Sequence, residues 1–195
     1  MLKRLSLAAA ILAAATAPAF AHLDPDAHGS FMAGFSHPLF GLDHILAMVA
    51  VGLWAAQIAR EDKNNRALWV VPSAFVGTMA VGFLLALSGI GLPFVEPAIL
   101  ASVIGLGLLV AMAVKLPVSA CAAIVGVFAL FHGHAHGGEL GTAGALQFGI
   151  GFAIATALLH VAGIALGLGI SRFAPSVTRI AGAATALLGL SLVFG

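Results

Sequence analysis

The chain has 195 residues, 62% of them hydrophobic and only 8% charged, with a mean hydropathy of +1.14. Soluble domains carry about 25% charged residues, so this chain has too few to cover a water-facing surface and reads as an integral membrane protein. A formal net charge of +1 argues for no nucleic acid partner, and the single Cys121 excludes an internal disulfide and any multi-cysteine metal cluster.

Residues 1–21 read as a signal peptide. Lys3 and Arg4 form a basic head, Leu5 to Ala17 a short apolar run, and Ala19-Phe20-Ala21 a small-residue cleavage site. The alternative is an uncleaved anchor, for which the run is short. Cleavage would leave His22 at the new N-terminus, where an amine and an imidazole can chelate one ion together, with Asp24, Asp26 and His28 close by.

Residues 22–195 then read as a single all-α transmembrane domain, a six-helix bundle. Apolar stretches of about spanning length fall at about 38–59, 67–88, 97–114, 117–136, 143–171 and 176–194. The breaks between them are "REDKNNR", "SGIGLPFVEP", "KLP", "HGGELGT" and "RFAPS". Twenty-four glycines suit close helix packing in a bilayer. Beyond the leader, the Lys and Arg residues are Arg60, Lys63, Arg66, Lys115, Arg172 and Arg179. All fall in or beside the first, third and fifth loops. By the positive-inside rule those loops are cytoplasmic. The expected location is therefore the bacterial cytoplasmic (inner) membrane, with both mature termini periplasmic.

The histidines fall on the other side. His37 and His44 stand at the outer end of the first span, in "SHPLFGLDHILAM", and His132, His134 and His136 at the outer end of the fourth, in "FHGHAHGGEL". Only His160 is deep, near the middle of the fifth. Residues three, four and seven apart share a helical face. His37, Gly41, His44 and Met48 would form one stripe, with Pro38 in the first helical turn and Asp43 on the flank. His132 and His136 are one turn apart, and Gly133, Gly137 and Gly138 suggest an unwound helix end. Gly149, Ala153, Thr156, His160, Gly163 and Gly167 share another face, which packing explains as well as a pathway does. His160 can equally hydrogen-bond a neighbouring helix, and His134 and His28 read as solvated loop residues. Asp43 is harder to dismiss, because ionisable residues inside spans are rare and usually mark sites or pathways.

Imidazole plus carboxylate without thiolate describes a site for a borderline divalent metal ion such as Zn, Ni, Co or Cu(II). No nucleotide-binding motif, zinc-protease H-E-x-x-H or nucleophile-elbow G-x-S-x-G is present. The residues alone point to a divalent metal transporter or a metal-binding or sensing protein. A membrane metal-dependent hydrolase, with Asp43 or Glu139 as base, and a bis-histidine haem protein are weaker alternatives. The chain is not expected to be an enzyme. The expected partners are the metal ion and the lipid bilayer, and a homo-oligomer is left open.

"GFSHPLFGLDHILAMVAVGLWAAQ" resembles the signature of the HupE/UreJ family of hydrogenase and urease accessory membrane proteins. "FHGHAHGGE" resembles that family's second motif, F-H-G-x-A-H-G-x-E, and "LHVAG" its third. The resemblance implies a permease with Ni2+ as substrate, or Co2+, with Zn2+ a further candidate. It implies His37, Asp43, His44, His132, His136, Glu139 and His160 as the residues that handle the metal. His134 falls at the motif's variable position.

Overall fold

The computed structural model describes residues 30–62, 64–140, 144–171 and 174–194. The signal peptide and His22 lie outside the described residues, as do Lys63, Arg172 and the side chain of Glu139. Among the described residues the regular structure is all helical, in seven helices. They are α1 (Phe31–Phe40), α2 (Leu42–Ala59), α3 (Ala67–Leu87), α4 (Val95–Ala111), α5 (Val118–Glu139), α6 (Ala145–Ser171) and α7 (Pro175–Phe194).

Each of the six expected spans coincides with one helix, α2 to α7. Five of these are long and apolar enough to cross a membrane; α4, with 17 residues, is shorter. The fold is a multi-pass helical membrane bundle. Two local expectations are corrected. The first span is not one helix from residue 38 but two, broken at Gly41, whose backbone is extended (φ −77°, ψ 116°). Pro38 therefore lies in the closing turns of α1, where it removes one helical N–H. His37 and His44 sit on separate helices rather than on one stripe. The end of α5 is not unwound: the helix continues to Glu139. Gly133 and Gly137 serve packing there, each lying against the backbone of α3, at Met79 and Phe83.

Close approach at glycine organises the bundle. A side-chain carbon on Gly52 would strike α6 at His160 and Gly163, and one on Gly163 would strike α2 at Val49 and Gly52. Gly82 and Gly133 meet the facing backbones of α5 and α3 in the same way, as Gly107 and Gly182 do for α4 and α7. Lipid tails are as apolar as the helices, so such van der Waals contact, rather than water exclusion, holds membrane helices together.

The α2 helix is the most buried of the long helices, as expected of one apolar on every face. Trp54 is fully enclosed, and its indole N–H donates to the Val114 carbonyl at 2.9 Å. Large apolar side chains such as Leu84, Leu146, Leu158 and Leu187 instead face outward, onto what lipid would cover.

The two ends of the bundle differ in charge. Arg60, Glu61, Lys115 and Arg179 line a cavity of about 280 Å³ at one end, beside a second lined by Glu61, Asp62, Arg66 and Lys115. Lys115 pairs with Glu61 there. His44 lies at the other end of α2, four turns away.

Candidate metal site

The helix break at Gly41 shapes the site. It starts α2 one residue before Asp43 and places that carboxylate in the first helical turn, where the helix dipole favours negative charge. The Asp43 Oδ1 lies 2.9 Å from the Nδ1 of His44. The carboxylate accepts, so Nδ1–H donates, and a neutral His44 presents a bare Nε2. A side-chain carbon at Gly41 would lie 2.8 Å from His44 Nδ1 and 3.1 Å from Asp43 Oδ1. The backbone angles of Gly41 suit any residue, so it is space for the Asp43–His44 pair that calls for glycine.

Three imidazoles from three helices meet at this point. His37 comes from the last turn of α1, His44 from the start of α2 and His136 from the last turn of α5. Their ligand nitrogens all lie within 4.8 Å of one another. The Nε2 atoms of His44 and His136 are 2.7 Å apart, which fits His136 Nε2–H donating to the bare Nε2 of His44. An ion with nitrogen ligands at about 2.1 Å holds any two of them about 3 to 4.2 Å apart, so the widest separation must close slightly and the His44–His136 pair must open slightly to form a coordination shell. Two helix C-termini, those of α1 and α5, converge here with their negative dipole ends, which favours a cation. Phe152 packs against all three rings, with centroids 4.8–6.0 Å away, and screens one side of the cluster.

The remaining expected site residues fall around and below this cluster. His132, one turn deeper on α5, is fully buried with its ring 5.4 Å from that of His44. Ser102 of α4 donates its hydroxyl proton to the Ile99 carbonyl at 2.6 Å and therefore accepts from His132 Nε2–H at 2.8 Å. That leaves His132 Nδ1 bare and without a hydrogen-bond partner among the described residues. His160 is 1% exposed, and neither ring nitrogen has a hydrogen-bond partner there. Leaving a buried polar group unsatisfied costs about 1–3 kcal/mol, so this imidazole is held at a cost to stability. His134 faces away and donates to the Ile90 carbonyl at 2.8 Å. The backbone of Glu139 ends α5 just beyond His136.

Residues 9–192 match the family described as HupE / UreJ protein. This chain belongs to the HupE/UreJ family. It is 49% identical to Protein HupE of Rhizobium leguminosarum bv. viciae over 189 aligned residues, covering 94% of this chain and 95% of that protein. No solved structure matches it.

Within this HupE/UreJ member, the two motifs that carried the resemblance meet in space. Of the expected residues, His37, His44 and His136 form the cluster, Asp43 orients His44, and His132 and His160 lie deeper. Sequence reading missed Gly41 as the source of space, Ser102 as the residue that sets the His132 tautomer, and Phe152 as the screen. Only Gly41 carried a signal, as a glycine between two site residues. Ser102 and Phe152 stand in apolar runs that look like any other span.

Proposed function

We propose that this protein is a secondary permease that moves Ni2+, and also Co2+, inward across the cytoplasmic membrane to supply hydrogenase or urease assembly. The observation that carries the reading is the convergence of His37, His44 and His136 at the end of the bundle opposite the basic residues. Three imidazoles without thiolate suit a borderline divalent ion. Asp43 supports His44 as a carboxylate behind a metal-ligating histidine, which fixes the tautomer and raises ligand basicity. It also compensates part of the ion's charge in a low-dielectric setting.

The direction follows from charge. With the basic end cytoplasmic, the cluster opens to the periplasm, and the membrane potential draws a divalent ion inward by about 2.3 kcal/mol per charge per 100 mV. His132 and His160 then offer nitrogens at successive depths, which a binding or sensing protein has no need of. The family motif adds Glu139 as a further ligand, and signal cleavage would make His22 the N-terminal residue and a capture ligand. Nickel itself and the metalloenzymes served rest on the family resemblance.

The test is uptake of radioactive Ni2+ into proteoliposomes under an inside-negative potential, with Co2+ and Zn2+ as competitors. Saturable uptake, inhibited most by Co2+, is expected. Metal binding without uptake would assign the protein to metal sensing or storage instead.

A further inference from the structure

One aromatic ring packs against both His132 and His160. Phe75 of α3 is fully buried. Its ring centroid is 5.8 Å from that of His132 and 5.0 Å from that of His160, the latter edge-on at 78°. The two imidazoles carry the bare Nδ1 of His132 and the two unpartnered nitrogens of His160. The side chain that meets both imidazoles can neither ligate an ion nor hydrate one. An N–H lying over its ring face gains only a weak contact.

The backbone that carries this ring is loosened on both sides. Pro72 lies inside α3, three residues before Phe75. It lacks the N–H that would bond the Leu68 carbonyl, and proline in a helix interior bends or weakens it. Three residues after Phe75, the Thr78 hydroxyl donates back to the Ala74 carbonyl at 2.7 Å and to the Phe75 carbonyl at 3.3 Å. Such back-bonding also bends helices. About two turns of α3 therefore combine a missing helical bond, two carbonyls engaged by a side chain, and the ring that touches two buried imidazoles.

We propose that Phe75 is the plug of the permeation route, an apolar closure between an outer compartment ending at His132 and an inner one beginning at His160. The ring swings aside with its turn of α3 to let an ion pass from one imidazole to the other. An apolar constriction blocks ions by excluding water, so the plug also keeps protons and other ions from crossing when no metal is moving. This inference rests on the permease reading above.

The test compares the parent with Phe75→Ala, Phe75→Leu and Phe75→Trp in proteoliposomes at equal folded abundance. Three readouts are taken: radioactive Ni2+ flux, passive proton leak reported by an internal pH dye, and Ni2+ affinity in detergent. Removing the plug should raise flux several-fold and open a proton leak in Phe75→Ala, with smaller changes of the same sign in Phe75→Leu. Phe75→Trp should cut flux several-fold without a leak. Affinity for Ni2+, set at the outer cluster, should stay at the parent value in all three. A ring that merely fills the core predicts the opposite order, with flux lost in Phe75→Ala and no leak in any variant. That result overturns the plug, as does parent-like flux in both Phe75→Leu and Phe75→Trp. Should Phe75→Ala fail to fold, the Leu and Trp pair decides alone. A parent that moves no Ni2+ overturns the permease reading and the plug with it, whereas a transporting parent with indifferent variants overturns the plug only.

Discussion

His44 and His136 stand 92 positions apart in the chain, yet their Nε2 atoms are 2.7 Å apart. A contact between two nitrogens this close needs one proton between them or one cation in its place. With His37 completing the set, a metal ion would replace the hydrogen bond between His44 and His136. Alanine at His37, His44 or His136 should each lower Ni2+ affinity by more than about 100-fold, beyond the 10–100-fold range of residues that only support a ligand. X-ray absorption of the loaded protein should count one imidazole fewer in each variant. An unchanged count in His136→Ala would exclude it as a ligand.

Metal binding at this cluster should be lost as the pH falls. An imidazole must be neutral to ligate, and its unperturbed pKa is about 6.5. Protons therefore compete on the acid side, and affinity should decline as the pH falls. Three imidazoles take part, so the decline should be steeper than one proton per ion. Calorimetric titration with Ni2+ at a series of pH values measures both. A slope of one would leave a single histidine in control.

The glycine crossings should carry the stability of the bundle. Gly163 has the backbone of α2 against it, whereas Gly169, on the same helix, has open space. Gly163→Leu should separate α2 from α6 and destabilise the protein by about 1–3 kcal/mol or more, the usual range for overpacking. Gly169→Leu should be neutral. Thermal unfolding in detergent compares them, and equal midpoints would show that the crossing is softer than its geometry.

Sidedness can be read with single cysteines. Cys121 is buried and can be replaced by alanine. Asn64 lies in the α2–α3 loop beside the basic end, and Gly91 in the α3–α4 loop, with nothing within 4 Å of where its side chain would begin. A membrane-impermeant maleimide applied to intact cells with a permeabilised outer membrane should label Gly91→Cys and spare Asn64→Cys. Labelling of both from outside would break the proposed orientation.

Much of this was legible in the chain because the bilayer demands it. Every spanning backbone must close its own hydrogen bonds, so apolar length alone located α2 to α7. The rarity of charge made Asp43 conspicuous, and helical spacing put His132 and His136 on one face. What spacing could not show is the break at Gly41. Pro38, Gly41 and Asp43 are compatible with a break, but the stripe spacing accommodates them equally well, and the extended angles at Gly41 are open to any residue. Without the break, spacing puts His37 and His44 on one stripe, whereas each is delivered by its own helix. Ser102 and Phe75 were silent for a different reason. Their roles depend on which side chain of another helix they face, and a pattern within one helix holds no record of that.

Asp43 should separate charge from geometry. Its carboxylate is 29% exposed while its partner His44 is 3% exposed, so it stands between the ring and the mouth of the site. In Asp43→Asn the amide oxygen can still accept from Nδ1–H, which keeps the tautomer of His44 and the shape of the turn. Only the negative charge is lost. That charge lies at the N-terminus of α2, whose dipole would otherwise oppose an incoming cation. The expected result is a normal folded yield with Ni2+ affinity lowered by about 10–100-fold, the range seen for residues that support a metal ligand. Gly41→Ala makes the complementary change. It keeps the charge but pushes a methyl group against both Asp43 Oδ1 and His44 Nδ1, so it should weaken binding by displacing the ring. The two can be told apart by salt: screening acts on the charge and little on the displacement, so the ratio of parent to Asp43→Asn affinity should narrow at high ionic strength while that of parent to Gly41→Ala holds. If Asp43→Asn binds and transports Ni2+ as the parent does, charge compensation has no part in the site, and Asp43 is there for the orientation of His44 alone.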